Sequence, residues 1–266
     1  MKISITHLTE YHYDHPVPYG LQEIRLAPQN DSGQNIGRWD VHLDGGVEQA
    51  QFLDQHGNKV MLISLDAESH RFGIRCEGEV DTIDQAGVVG RHSGYAPLWL
   101  YLRDTALTRA GSGIENLARG VEKGDGGDVA HLHALAAAIT DAVTFEVGRT
   151  DAETTAESAL AAGHGVCQDQ THIFLAAARL LGYPARYVSG YLLMENQVDQ
   201  DASHAWAEAY IDDLGWVGFD PVNRISPDAR YIRTAYGLDY SEAAPISGVR
   251  FGESPESLNV SIQVQQ

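Results

Sequence analysis

Apolar and polar positions alternate through the first eighty residues. Lys2-Ile3-Ser4-Ile5-Thr6 and Trp39-Asp40-Val41-His42-Leu43 repeat at period two, as does the run 72–80. That period marks strands with one buried face. VEQAQFLDQHGNKVMLISL (47–65) reads as a hairpin with its tip at 54–58, where Gly57 supplies the permissive turn position. Several short strands at near-regular spacing predict a small β-sandwich. The period then changes. AGSGIENLARGVEKGDGGD (110–128) is Gly-rich and polar, a short helix followed by a flexible boundary. DVAHLHALAAAITDAV (128–143) places Val129, Leu132, Leu135, Ala136 and Ile139 at helical spacing, with Asp128 as N-cap. In GHGVCQDQTHIFLAAARLLG (163–182) the apolar face from Ile173 to Leu181 predicts a helix that stops at Gly182, ahead of Pro184. ASHAWAEAYID (202–212) and GWVGFDP (215–221) alternate again and form a second hairpin, and LNVSIQV near the C-terminus is a last strand packed on a sheet. The predicted class is α+β, with a β-rich domain over 1–105 and a mixed core over 106–266 that includes the C-terminal strand.

Composition narrows the partners. The 266 residues carry 37 acids against 18 Lys and Arg, a formal charge of −19. Such a chain repels nucleic-acid phosphates and anionic head groups, so neither nucleic acid nor membrane is expected as a partner. The N-terminal stretch MKISITHLTEYHYDH meets Glu10, His12 and Asp14 before any apolar run builds. It has no signal-peptide or spanning pattern, which makes the cytoplasm the expected location. With only Cys76 and Cys167 there is no disulfide framework. Cys76 lies in an alternating run and is expected to be structural. His131 and His133, two apart on a helix, are expected on diverging, solvated faces.

Candidate chemistry concentrates between residues 163 and 220. Cys167 falls in the first turn of its predicted helix, behind Gly163 and Gly165. Unpaired N–H groups and partial positive charge at a helix N-terminus favour thiolate over thiol and bind a developing oxyanion. Gly165 would let a substrate backbone approach closely. A cysteine beside an apolar helix is by default a small buried hydrophobe, so position alone does not make a nucleophile. His204 and Asp220 supply the missing partners. A three-residue loop closed by Gly215 in the left-handed region would put both on one face of the hairpin, whereas a two-residue loop would put them on opposite faces. Taken alone, His204 is a strand histidine and Asp220 a turn former before Pro221. Together with Cys167 they make a nucleophile, base and orienting group.

GVCQD (165–169), LGYPARYVSGYL (181–192), HAWAEAYI (204–211) and GWVGFDP (215–221) resemble the transglutaminase-like core of bacterial cysteine enzymes, within the papain-like superfamily. EYHYDHPVPYGLQEIRLAPQ (10–29) resembles their β-rich N-terminal region, and IRTAYGLDYSEAAPISGVRFG (232–252) their C-terminal segment. The resemblance implies a core with the nucleophile at a helix N-terminus packed on an antiparallel sheet. It implies Cys167 as nucleophile, His204 as general base and acid, and Asp220 as the carboxylate that fixes the imidazole. The activity implied is attack on amide bonds of peptides or proteins through a thioester, as peptidase, deamidase or transamidase, with no cofactor. Gln168, Trp206 and Gly165 are the expected substrate-binding residues. No second oxyanion donor is assigned. The papain pattern has a Gln six residues before the nucleophile, where this chain has Ala161, and the Trp used by transglutaminases does not map onto Trp99, Trp206 or Trp216.

Two other readings compete. His164, Cys167 and His172, joined by His204, have spacings a metal could use, which would make a metal-dependent hydrolase. The fold could also serve as an inactive binding module. No D-x-D-x-D-G loop is present, so calcium is not expected and the metal assignment is none.

Overall fold

The computed structural model describes residues 1–195, 197–252 and 254–266. Seven strands come first: β1 (Lys2–Val17), β2 (Tyr19–Ile24), β3 (Gln34–Asp44), β4 (Gly46–Leu53), β5 (Lys59–Leu65), β6 (Ser69–Thr82) and β7 (Val88–Gly90). A 3-10 helix, Leu98–Leu102, leads to α1 (Ser112–Gly120), α2 (Gly127–Ala142), β8 (Thr144–Phe145), α3 (Ala156–Ala162), β9 (His164–Gly165) and α4 (Cys167–Leu180). The remainder is β10 (Ala185–Leu192), β11 (Asp199–Gln200), β12 (His204–Ile211), β13 (Gly215–Phe219), β14 (Tyr231–Gly237), α5 (Tyr240–Ala243), β15 (Ile246–Phe251) and β16 (Glu256–Gln265).

Two sheets, ordered β11-β16-β1-β6-β3 and β15-β2-β5-β4, enclose Phe72, Ile74, Cys76, Ile63 and Leu26. Burial pushes the Cys76 thiol up to about 12, which suits a structural role. The expected 54–58 hairpin tip joins β4 to β5, with Gly57 at φ 91. One expectation is corrected here. The last strand does not join the core: β16 pairs with β1 along ten residues and β15 with β2, so the tail completes both sheets of the sandwich. The reverse also holds, because β7 edges the core sheet, ordered β14-β10-β12-β13-β7. Hydrogen bonding across an open edge outweighs proximity in sequence.

The core sheet packs one face on the helices. Ala205, Ala207, Ala209, Val217 and Phe219 meet Ile173, Phe174 and Ala177 of α4 and Leu132, Leu135 and Ile139 of α2. The small alanines let helix and sheet approach closely, which suits the patterned run HAWAEAYI. Three further expectations change. Helix α2 begins at Gly127 after Gly126, so Asp128 is a first-turn residue that binds Tyr183 and Lys123 rather than an N-cap. His131 is buried and donates from Nε2 to the Val121 carbonyl at 3.0 Å. His133 is half-buried, its ring 5.0 Å from Phe219 and its pKa lowered by burial. Neither histidine is solvated, because α1, Tyr183 and β13 close over this side of α2.

Two amide side chains join the domains. Strand β14 is an edge, and its outward backbone groups at Arg233 and Tyr236 need partners. Gln34 accepts from the Arg233 N–H at 2.8 Å and donates to its carbonyl at 2.9 Å. Asn58 does the same for Tyr236 at 2.9 and 2.7 Å. Each amide imitates a strand neighbour and blunts the edge. Among the described residues, no helix is long and apolar enough to cross a membrane.

Candidate active site

Cys167 is the first residue of α4, and Val166 before it is extended and offers no side-chain cap. Asp169, in the first turn, reaches back instead: its Oδ2 accepts the Val166 N–H at 2.7 Å and the Thr150 hydroxyl at 2.7 Å. Burial pushes the Asp169 carboxyl up against those bonds, and its Oδ1 is buried with no partner among the described residues. The clamp fixes the turn that presents Cys167. It also explains Gly165, where a Cβ would sit 2.7 Å from the Asp169 side chain. That glycine makes room for Asp169. The thiol is half-buried over the main core.

His204 opens β12 and Asp220 follows β13. The pairs Ile211↔Gly215 and Ala207↔Phe219 leave a three-residue loop at 212–214, with Gly215 at φ 84. This is the alternative that puts both residues on one face. Gly215 has a second constraint, since a Cβ there would lie 2.1 Å from the Gly90 carbonyl of β7. His204 Nε2 donates to Asp220 Oδ2 at 2.6 Å. The same oxygen accepts from Tyr231 Oη at 2.8 Å and Asn223 Nδ2 at 2.7 Å, and Oδ1 takes the Asn223 N–H at 3.2 Å. Burial opposes charge on Asp220, yet these donors hold its pKa below the usual value. Burial also opposes charge on His204, but Asp220 and the Cys167 sulfur outweigh it and raise the imidazole to about 10. With Nε2 committed to Asp220, Nδ1 is the nitrogen left for the thiol.

The expected substrate-binding residues fare differently. Trp206 is 1% exposed and stacks on His204 at 6.2 Å between ring centroids, so it walls the imidazole. Gly190, opposite His204 on β10, leaves room for the Trp206 ring: a Cβ there would lie 2.6 Å from the indole. Gln168 turns its amide to the Asp151 and Ala152 carbonyls, both at 3.5 Å, and away from the helix end. His172, from the competing metal set, is fully buried and accepts the Tyr240 N–H on Nε2 at 3.1 Å, with its pKa lowered by burial to about 4. Among the described residues no three His, Cys, Asp or Glu side chains converge as a metal site needs. Tyr231 and Asn223 went unforeseen. Asn223 had a signal in the Asp-Pro-Val-Asn turn, whereas nothing local marked Tyr231, eleven residues from Asp220.

A cysteine at a helix N-terminus over an antiparallel sheet, with a strand histidine bonded to a neighbouring aspartate, defines the transglutaminase-like class. The chain belongs to that superfamily in its bacterial two-part form: residues 115–221 match the transglutaminase-like superfamily and residues 3–81 the bacterial transglutaminase-like N-terminal region. An uncharacterized protein of Mycobacterium leprae is 26% identical over 276 residues, covering 99% of this chain and 98% of that one. Another, of Mycobacterium bovis, is 35% identical over 144 residues, covering 50% of this chain and 46% of its own. The crystal structure of a candidate cysteine protease from Cytophaga hutchinsonii shares the fold, with a TM-score of 0.77 at 22% identity over 100% of this chain and 90% of that one.

Proposed function

We propose that the chain is a thiol enzyme acting on amide bonds of peptides or proteins, with Cys167 as nucleophile, His204 as general base and acid, and Asp220 as orienting group. The observation that carries this reading is the buried 2.6 Å bond from His204 Nε2 to Asp220, which commits one ring nitrogen and leaves Nδ1 for the sulfur. The raised imidazole holds the thiol proton at neutral pH, so the reacting pair in this reading is an imidazolium beside the thiolate sulfur of Cys167.

The sulfur adds to the amide carbonyl carbon, and the carbonyl electron pair moves to oxygen. The backbone N–H groups of the first turn of α4 stabilise that oxyanion, since Val166 has no side chain to occupy them. Collapse breaks the C–N bond, and the leaving amine takes the proton from His204. A thioester on Cys167 remains. His204, now neutral, removes a proton from the second nucleophile, which displaces the thiol and releases an acid from water or a new amide from an amine.

The test is to trap the thioester. Denaturing mass spectrometry of the protein incubated with a peptide library should find acyl adducts on Cys167 that hydroxylamine removes. Adducts confined to Cys76, or none with any amide or thioester donor, would defeat the reading.

A further inference from the structure

The two domains enclose a second cavity on the far face of the catalytic sheet. Odd-numbered residues of β12 and β13 pack on α4, whereas Glu208 and Trp216 are even-numbered and face away. There, the 29–34 segment, the 53–57 hairpin tip and the 89–95 segment overhang β10 and β14 and leave a volume of about 490 Å³. This lies within the ~300–1,000 Å³ range of small-molecule sites.

The charges lining it are uneven. Arg91, Arg186 and Arg233 face the cavity, against the single carboxylate of Asp31. Behind the wall, fully buried Glu208 accepts from Arg186 Nε at 2.7 Å and from Arg233 Nε and Nη2 at 2.9 and 2.6 Å. Asp31 holds the remaining Arg233 nitrogen. Three guanidiniums therefore meet two carboxylates. Arg91, exposed at the rim, has no ion pair among the described residues. His56 adds no free donor, because its ring nitrogens are taken by Tyr101 at 3.0 Å and Glu242 at 2.7 Å.

One cation is held with unusual rigidity. The Arg186 guanidinium lies 4.2 Å from the Trp216 ring centroid and 3.9 Å from that of Tyr236, a sandwich that fixes its plane. Nε and Nη2 hold Glu208, which leaves Nη1 outside that pair. Apolar surface surrounds the charge: Trp216 and Tyr236 within, Leu53 and the 90% exposed Tyr95 at the rim. A surplus of one positive charge in a chain of net charge −19 is a local exception that draws one anion and not a polyanion.

We infer that this interdomain cavity binds an organic monoanion, a carboxylate carried on a flat apolar body. The Arg91 guanidinium, the one without an ion pair among those lining the cavity, can take a carboxylate in its fork, and the aromatic walls match the apolar part. The ligand is either a free acid or the C-terminus of a peptide, which share this chemistry.

The experiment titrates the full chain, with Cys167 carbamidomethylated, using N-acetyl-L-phenylalanine, its neutral amide, and a longer peptide ending in a free phenylalanine carboxylate. The acid should saturate with a Kd at or below about 1 mM. It should shift the Trp216 indole N–H resonance and bind at least about ten-fold more tightly than the amide. Arg91→Gln, at an exposed position, should weaken it about five-fold or more. Binding of the long peptide equal to the free acid assigns a peptide C-terminus, and its loss assigns a small acid. The inference is overturned if the acid fails to saturate by about 10 mM, if the amide binds as well, or if Arg91→Gln leaves both affinity and the Trp216 shift unchanged.

Discussion

His204 and Asp220 are bonded at 2.6 Å because exactly three residues, 212–214, separate their strands. A loop shorter by one would turn Asp220 to the helix-packed face, since side chains alternate along each strand. The bond is reinforced from outside the hairpin by Tyr231 and Asn223, so the carboxylate is held from three directions and the imidazole ring cannot rotate freely.

This geometry separates the two substitutions. His204→Ala removes the base and should lower turnover by about 10⁴-fold or more. Asp220→Asn keeps an amide oxygen able to accept the ring N–H and should be at least about ten-fold milder. Steady-state kinetics on both variants, with circular dichroism to show that each folds, checks the order. Equal losses would mean Asp220 does more than orient the ring.

The thiol chemistry has an internal control. Iodoacetamide should label Cys167 in the folded protein and spare Cys76, which is fully buried and whose thiol is pushed up to about 12. Cys167→Ala should abolish both labelling and turnover, a loss of about 10⁶-fold on the scale of triad nucleophiles. Cys76→Ala should retain turnover. Peptide mapping after brief labelling decides it.

The raised imidazole predicts a pH dependence. The folded pKa of His204 is about 10, above its ordinary value of 6.5, so the stability it contributes is fully present below about pH 6.5 and is lost as pH rises through about 10. Asp220 has the opposite sign: its folded pKa is lowered, so its contribution is present above 3.8 and is lost as pH falls below that value. In a proton NMR titration the His204 ring should show no midpoint between pH 5 and 8. Asp220→Asn should bring its midpoint down. A wild-type midpoint near 6.5 would contradict the coupling.

The interdomain amides predict a stability loss without a catalytic residue being touched. Asn58→Ala leaves the Tyr236 N–H and carbonyl without their partner at a buried edge, at about 1–3 kcal/mol for each group. The urea midpoint should fall by an amount worth about 3 kcal/mol at unchanged slope. An unchanged midpoint would show that water replaces the amide at no cost.

Local pattern made much of the molecule legible. Alternation in 2–6, 39–43 and 72–80 located strands of the sandwich, the apolar face after Cys167 located α4, and HAWAEAYI located β12 with its alanines toward the helix. Each signal is a side-chain period that one element imposes on its own residues. Where sequence neighbours competed with distant ones, the reading failed. The terminal strand was expected on the core because it follows the core, but β1 and β2 had unpaired edges to fill. Trp206 was expected to bind substrate, and nothing local showed that Gly190, sixteen residues earlier on the adjacent strand, makes room for its indole.

By itself the sequence determined the strand and helix periods, the helix-end position of Cys167, the order of Cys, His and Asp, and the acidity of the chain, because all of these are properties of contiguous residues. Only the tertiary structure decided the loop parity that joins His204 to Asp220, the convergence of Tyr231 on the same oxygen, the covering of β14 by Gln34 and Asn58, and the cationic cavity between the domains. Each of these depends on which strands pair and in what register. Pairing is set by the whole set of open edges and buried faces at once, and no single segment encodes it.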